Sequence, residues 1–323
     1  GTESQAGEDT VLSADGRRIA VWSDTRVKVV DLVTGRARRA SSGVDGTVRA
    51  EPSGWSPDGT ALVVRDTVPV DEDGTGYRSV LTLVRLDGGG RVRLAETDHD
   101  HELGSPVAFA PGRLAFQSGR TVVVSDLDGR RLSSFTLARD DELAGKGAWN
   151  GDTLTVARRV GYSWSLRRID PGTGRDLGAL DLPAVPDVTA IRLLGWRADG
   201  SALVAAFVPA DPAPAAFDVP TSMNQRLAYG SVGTTQVLAL HRGASAPATL
   251  LTAPAGVVGI DVAESLLRAG RTRVANPPTA LGPRFWLWTF LIPLLLAGLV
   301  AYRCRKGIAL RLDDRRVRRA RGR

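Results

Sequence analysis

The sequence predicts an all-β fold, a β-propeller of about six four-stranded blades with five or seven also compatible, followed by one C-terminal transmembrane α-helix. Two observations predict the ring: a glycine-closed turn returns at blade-sized spacing, and a pair of alternating apolar runs follows each turn. A third predicts the helix, a charge-free apolar stretch late in the chain.

The turn reads SADG at 13–16, SPDG at 56–59, APG at 110–112, WNGD at 149–152 and RADG at 197–200. Its glycines stand at 16, 59, 112, 151 and 200, spaced by 43, 53, 39 and 49 residues. Trp55 and Trp196 precede their glycines by four residues, and Phe109 and Trp149 occupy similar places. The paired runs are RRIAVWS with RVKVVDLV, ALVVRD with SVLTLVRLD, RLAFQSG with TVVVSDLDG, TLTVARRV with SWSLRRID, and ALVAAFV with TQVLALHR. Their alternation and β-branched content suit half-buried strands. A second turn closes each pair, at VTGR, DGGGR, LDGRR, DPGTGR and HRGAS, and a short fourth strand follows. Asp15, Asp58 and Asp199 are turn formers that hydrogen-bond nearby backbone, with no catalytic role.

Five units are complete, and a sixth, over 257–274, offers GIDVAES, LLRAG and RTRVAN without a fourth strand. An open ring leaves strand edges exposed, so the segment from Glu8 to Leu12 is expected to help close it. The propeller is assigned to 1–275 and a Pro-rich connector to 276–284.

The span is 285–302, FWLWTFLIPLLLAGLVAY, bounded by Arg284 and Arg303. At about 1.5 Å per residue it reaches roughly 27 Å, the thickness of a hydrocarbon core. Trp286, Trp288 and Tyr302 stand at its ends, where amphipathic rings favour the headgroups. Pro293 and Gly298 are tolerated in such helices. The tail 303–323 begins Arg303, Cys304, Arg305, Lys306, and basic residues this close to a span stay cytoplasmic. The propeller is therefore expected outside the cell membrane and the tail inside, with a signal peptide or anchor expected upstream of the polar GTESQAGEDT. Cys304, the single cysteine, falls at the cytoplasmic boundary.

Charge supports this division. The 323 residues carry +7 and a pI near 10.2, but the tail alone holds +8, which leaves −1 for everything before it. A nucleic-acid partner is not expected, and contact with anionic lipid accounts for the tail. With 43% apolar residues the chain is neither disordered nor disulfide-stapled. Only three of the 42 basic residues are lysine, the usage of a GC-rich bacterial genome.

An SPDG turn after an aromatic residue and before an apolar strand is similar to the PD40 repeat of bacterial TolB-type and WD40-like propellers. The resemblance covers 8–276 and is carried by Ser56 to Gly59 and Arg197 to Gly200, then by Ser13 to Gly16. It is degenerate in the third and fourth units, and the Gly-His and Trp-Asp pairs of eukaryotic WD40 repeats are not evident. The family implies a protein-interaction role.

In four-stranded blades the glycine turns share one face, and the links between second and third strands share the other with the inter-blade links. Two long insertions, 66–78 and 208–234, and the loop 96–105 belong to that second face, and loops of such length commonly carry function. The binding candidates are Asp71, Glu72 and Asp73 on the first insertion, Asp98, His99, Asp100 and His101 on the loop, and Met223, Arg226 and Tyr229 on the second insertion. His99 and His101 are weak zinc candidates without a third nearby histidine. A calcium loop starting at Asp71 fails because its twelfth position is Thr82. No GxSxG elbow or phosphate-cradling glycine loop occurs, so no catalytic residue and no cofactor are assigned. The expected function is a membrane-anchored, non-catalytic protein- or ligand-binding module with an envelope protein as partner. The alternative is an exported propeller hydrolase of glycans or lactones using axial carboxylates or a metal.

Overall fold

The computed structural model describes residues 10–23, 25–70, 76–88, 90–97, 106–210, 232–254, 257 and 259–270, with 287, 289–295, 297–298 and 302 near the C-terminus. The chain divides into two units, Gly1–Thr272 and Arg273–Arg323.

The first unit is a β-propeller, and its described residues form five blades. Blade 1 contains β1 (Thr10–Leu12), β2 (Arg18–Ser23), β3 (Arg26–Asp31) and β4 (Ala37–Ala40), and blade 2 contains β5 (Arg49–Trp55), β6 (Ala61–Pro69), β7 (Tyr77–Arg85) and β8 (Arg91–Thr97). Blade 3 contains β9 (Val107–Ala110), β10 (Arg113–Ser118), β11 (Thr121–Asp126) and β12 (Arg131–Thr136). In blade 4 the inner strand is split into β13 (Asp141–Leu143) and β14 (Trp149–Asn150) by a 3-10 turn at Lys146–Ala148; β15 (Thr153–Val160), β16 (Ser163–Ile169), β17 (Asp176–Ala179) and the short β18 (Val185–Pro186) complete it. Blade 5 contains β19 (Ala190–Trp196), β20 (Ala202–Pro209), β21 (Val232–Leu240) and β22 (Ala248–Thr252). Pairing within each blade is antiparallel.

The repeat glycines work as the turn requires. Gly16, Gly59, Gly112, Gly151 and Gly200 all have φ between 60° and 78°, a region open to glycine at no steric cost. In blade 2 the Gly59 N–H donates to the Ser56 carbonyl at 2.9 Å, while Asp58 Oδ1 accepts from Ser56 Oγ at 2.6 Å and Thr60 N at 2.9 Å. Asp15 and Asp199 repeat this local bonding with Ser13 and Ser201. These bonds hold all three carboxyls below the usual aspartate range, the serine hydroxyl being the largest contributor in each.

The aromatic residue that ends the inner strand fastens one blade to the previous one. Trp55 Nε1 donates to the Val11 carbonyl at 3.0 Å, Trp149 Nε1 to Ala108 at 3.2 Å and Trp196 Nε1 to Gly147 at 2.9 Å. Each crossing satisfies a buried N–H that would otherwise destabilise the seam. Between blades 4 and 5 the inner strands approach closely: a Cβ at Gly147 would lie 2.7 Å from the Gly195 backbone. The apolar core sits between the blades, with Leu62, Val64 and Trp55 packed against blade 1, and Leu83, Val107 and Phe116 between blades 2 and 3.

The described residues form five blades, which corrects the count of about six, and no sixth blade is present among them; RTRVAN at 271–276 lies outside the described residues. LLRAG lies not on a strand but at the helix α1 (Glu264–Arg268) and the turn that follows it. Leu267 is 4% exposed and joins Leu194, Phe207 and Val237 of blade 5, with Ile260 and Val262 beside it. Ser265 N donates to the Ala14 carbonyl at 3.0 Å, and the Leu12 N–H donates to Asp261 Oδ2 at 2.7 Å. Blade 1 has Leu12 where other blades have a ring, so no indole can cross this last seam, and the strap 260–268 bridges it instead. The expected N-terminal role in closure lies with Leu12 and Ala14, whose backbones receive the strap.

In the second unit, the described residues 287, 289–295, 297–298 and 302 are helical, which places Pro293 and Tyr302 in helix. Leu287, Phe290, Leu294 and Leu295 are exposed apolar side chains on it. Among the described residues no helix is long and apolar enough to cross a membrane.

Candidate functional site

The glycine-turn face carries a cleft of about 610 Å³. Its floor comes from the ends of the inner strands, with Phe109, Trp149, Gly195 and Trp196, and its rim from the turns at Pro57, Pro111, Gly151 and Ala198. Lys146 enters on the 3-10 turn, Glu264 and Arg268 on the strap, and Arg242 on the turn between β21 and β22, with Leu180 and Leu182 forming an apolar side. The volume is that of pockets that hold a small ligand or a short peptide.

The cleft is electrically mixed, with four cations (Lys146, Arg197, Arg242, Arg268) and two acids (Asp181, Glu264) in its lining. Lys146 is committed to structure: it pairs with Asp261 and donates to the Val262 carbonyl, so the strap and blade 4 are tied inside the cleft wall. Burial pushes the Glu264 carboxyl up, against the opposing pull of Lys146 and Arg268. Among the described residues Arg197, Arg242 and Arg268 have no side-chain hydrogen bond or ion pair, and Arg197 is half-buried. Beside the cleft, Arg113 stacks 4.2 Å from the Trp149 ring centre and reaches Asp152 Oδ1 at 3.1 Å.

A smaller pocket adjoins the cleft, sharing Pro57, Phe109, Lys146 and Glu264 with it and lined also by Val11, Leu12, Trp55 and Val107. Among the described residues no group of three or more His, Cys, Asp or Glu is placed to hold a metal ion. Two other ionic clusters are structural. Glu51 and Arg65, both 2% exposed, form an ion pair joined by Arg49; burial raises the Glu51 carboxyl, but Arg65 and Arg49 overcome this and hold it low. On blade 4 Arg158 grips Asp141 with two bonds of 2.6 Å.

Asp71, Glu72, Asp73, Asp98, His99, Asp100, His101, Met223, Arg226 and Tyr229 lie outside the described residues, as do Trp286, Trp288, Arg303, Arg305 and Lys306. The described chain stops at the ends of β6 and β20 before the two long insertions, and at the end of β8 before residues 98–101. The cleft was not foreseen from sequence. One local signal for it exists: Arg197 directly follows an inner-strand Trp, where Trp55 is followed by Ser56 and Trp149 by Asn150.

No protein-family model matches the chain, and no curated protein matches it in sequence. Solved structures match its fold. A putative TolB from Agrobacterium tumefaciens is 14% identical, with 78% of this chain and 82% of that one covered and a TM-score of 0.50. An oligogalacturonate lyase from Vibrio parahaemolyticus is 13% identical, with 75% and 64% covered and a TM-score of 0.45. TolB from Acinetobacter baumannii is 16% identical, with 72% of this chain and 50% of that one covered and a TM-score of 0.41. The likeness to the Agrobacterium protein is one of fold, a TolB-like β-propeller, in agreement with the SPDG turns.

Proposed function

We propose that the chain is a membrane-tethered, extracytoplasmic propeller that binds another protein and performs no chemistry of its own. The observation that carries this reading is the cleft: aromatic floor, arginine rim and apolar side are recognition chemistry. Its two acids differ in setting, Glu264 half-buried on the strap and Asp181 exposed on the rim. The tether is supported by the charge-free stretch 285–302 followed by a tail of +8.

Cys304 makes the topology testable, because it is the only thiol in the chain. In intact cells producing the full chain, a membrane-impermeant maleimide should label an Ala198→Cys variant at the propeller and leave Cys304 unreacted until the cells are permeabilised. Labelling of Cys304 in intact cells would reverse the orientation. For binding, a photo-crosslinking residue at Ala198 should give a discrete adduct in membranes, whereas one at Thr173, on the outer turn of blade 4, should not. Equal crosslinking from both positions would remove the cleft from the reading.

A further inference from the structure

The cleft concentrates positive charge in a part of the chain that has almost none to spare. Everything before the tail sums to −1, yet the lining holds four cations against two acids. Three of those cations are arginines from separate elements, Arg197 after β19, Arg242 after β21 and Arg268 at the end of α1; none has a side-chain hydrogen bond or ion pair among the described residues, and Arg197 and Arg268 act on Asp199 and Glu264 only at longer range. Several other propeller arginines are engaged, Arg18 with the Gly59 carbonyl, Arg38 with Leu86, Arg85 with Asp128, Arg158 with Asp141 and Arg167 with Asp176, while exposed ones such as Arg39 are, like the cleft three, without a side-chain bond among the described residues. Three free forks facing one cleft are unspent capacity for carboxylates, which a guanidinium can grip with two parallel bonds.

The rest of the lining narrows the ligand class. Asp181 and Glu264 would repel a uniform polyanion such as nucleic acid, whereas a peptide brings its own N–H groups to meet them. Phe109, Leu180 and Leu182 offer half-buried apolar surface between the charges, which suits a chain with acidic and apolar side chains in turn. Recognition of acidic motifs by arginine clusters is a recurring mode.

We propose that this cleft binds an extended acidic peptide segment of the partner protein, with Arg197, Arg242 and Arg268 as its carboxylate-binding groups. This rests on the binding-module reading above and adds the chemistry of the segment that is bound.

The test is fluorescence anisotropy on the full chain in detergent, with a short labelled peptide of alternating Glu and Leu and the same peptide with Gln for Glu. The Glu peptide should bind at least tenfold more tightly than the Gln peptide, and the difference should shrink as salt rises. Arg197→Ala and Arg268→Ala should each weaken the Glu peptide by roughly 10- to 100-fold, the range of a hydrogen bond to a charged group, and Arg197→Lys should recover only part of the loss. Arg39→Ala, an exposed arginine on β4, controls for net charge and should change nothing. Equal binding of both peptides, or equal loss with Arg39→Ala, overturns the proposal. If neither peptide binds while the Ala198 crosslink forms in membranes, the acidic class is wrong and the binding module stands; if that crosslink fails too, both fall.

Discussion

Glu142 offers a sharp test of how the seam between blades 4 and 5 is built. It lies on β13, half-buried, between Asp141 and Leu143, which turn the other way into the blade. Burial pushes its carboxyl from an ordinary 4.5 up to about 7, with Arg192 and Arg159 opposing only part of that rise. The folded state therefore holds a proton that the unfolded chain gives up near pH 4.5. Stability falls as pH rises from the unfolded value through the folded one, and the cost levels off above pH 7. A difference of that size corresponds to roughly 3 kcal/mol once Glu142 is fully ionised. In Glu142→Gln this pH-dependent cost is absent. Urea unfolding of the propeller followed by tryptophan fluorescence should show Gln gaining about 2–3 kcal/mol relative to wild type between pH 5 and pH 8. Comparing the two pH values cancels any constant effect of the amide. A gain that is the same at both pH values, or a wild type that grows more stable over this interval relative to the variant, would refute the assignment of a desolvated carboxyl to this seam.

Three other perturbations address the ring. Trp196→Phe keeps the ring but removes the 2.9 Å bond to the Gly147 carbonyl, so it should cost about 1–3 kcal/mol by the same unfolding assay, and Trp55→Phe a similar amount. Gly147→Ala puts a Cβ 2.7 Å from the Gly195 backbone, where nothing flexible can yield; about 1–3 kcal/mol of destabilisation is expected in the same unfolding assay. Asp261→Ala deletes both the acceptor for the Leu12 N–H and the partner of Lys146, so hydrogen exchange at Leu12 should accelerate while amides in the middle of blade 2 keep their protection.

The blades were legible because turn chemistry is local. A glycine at positive φ and an aspartate bonding its neighbours need no tertiary context, and all five turns read from the sequence are formed. The strand pairs were legible from their β-branched apolar runs: β3 alternates as a half-buried strand does, whereas β6 and β7 are buried on both faces along most of their length. The sixth blade was misread because a short mixed run such as VAESLL at 262–267 fits a strand or a helix, and among the described residues it has no ladder partner beyond blade 5. The 3-10 turn inside the blade 4 inner strand follows from Gly145 and Gly147, which break the strand pattern without announcing what replaces it. The cleft was hidden because Lys146, Arg197, Arg242 and Arg268 converge from four distant stretches, and loop length drew attention to the other face.

The strap has a mechanical meaning. It is the last described segment of the propeller, so a force applied from its C-terminal side meets Arg268 before it meets any described strand. Sheets within blades resist through many antiparallel bonds, whereas α1 is held across the seam by Leu267, two bonds from Ser265 to Ala14 and the grip on Asp261. Peeling would start there, prising Glu264 and Arg268 from the cleft wall while the blades stay intact. In a single-molecule pull from the C-terminal side, the first rupture should be short and reversible and should weaken in Asp261→Ala. The closing latch is thus also the component through which a force applied from the C-terminal side would reach the cleft.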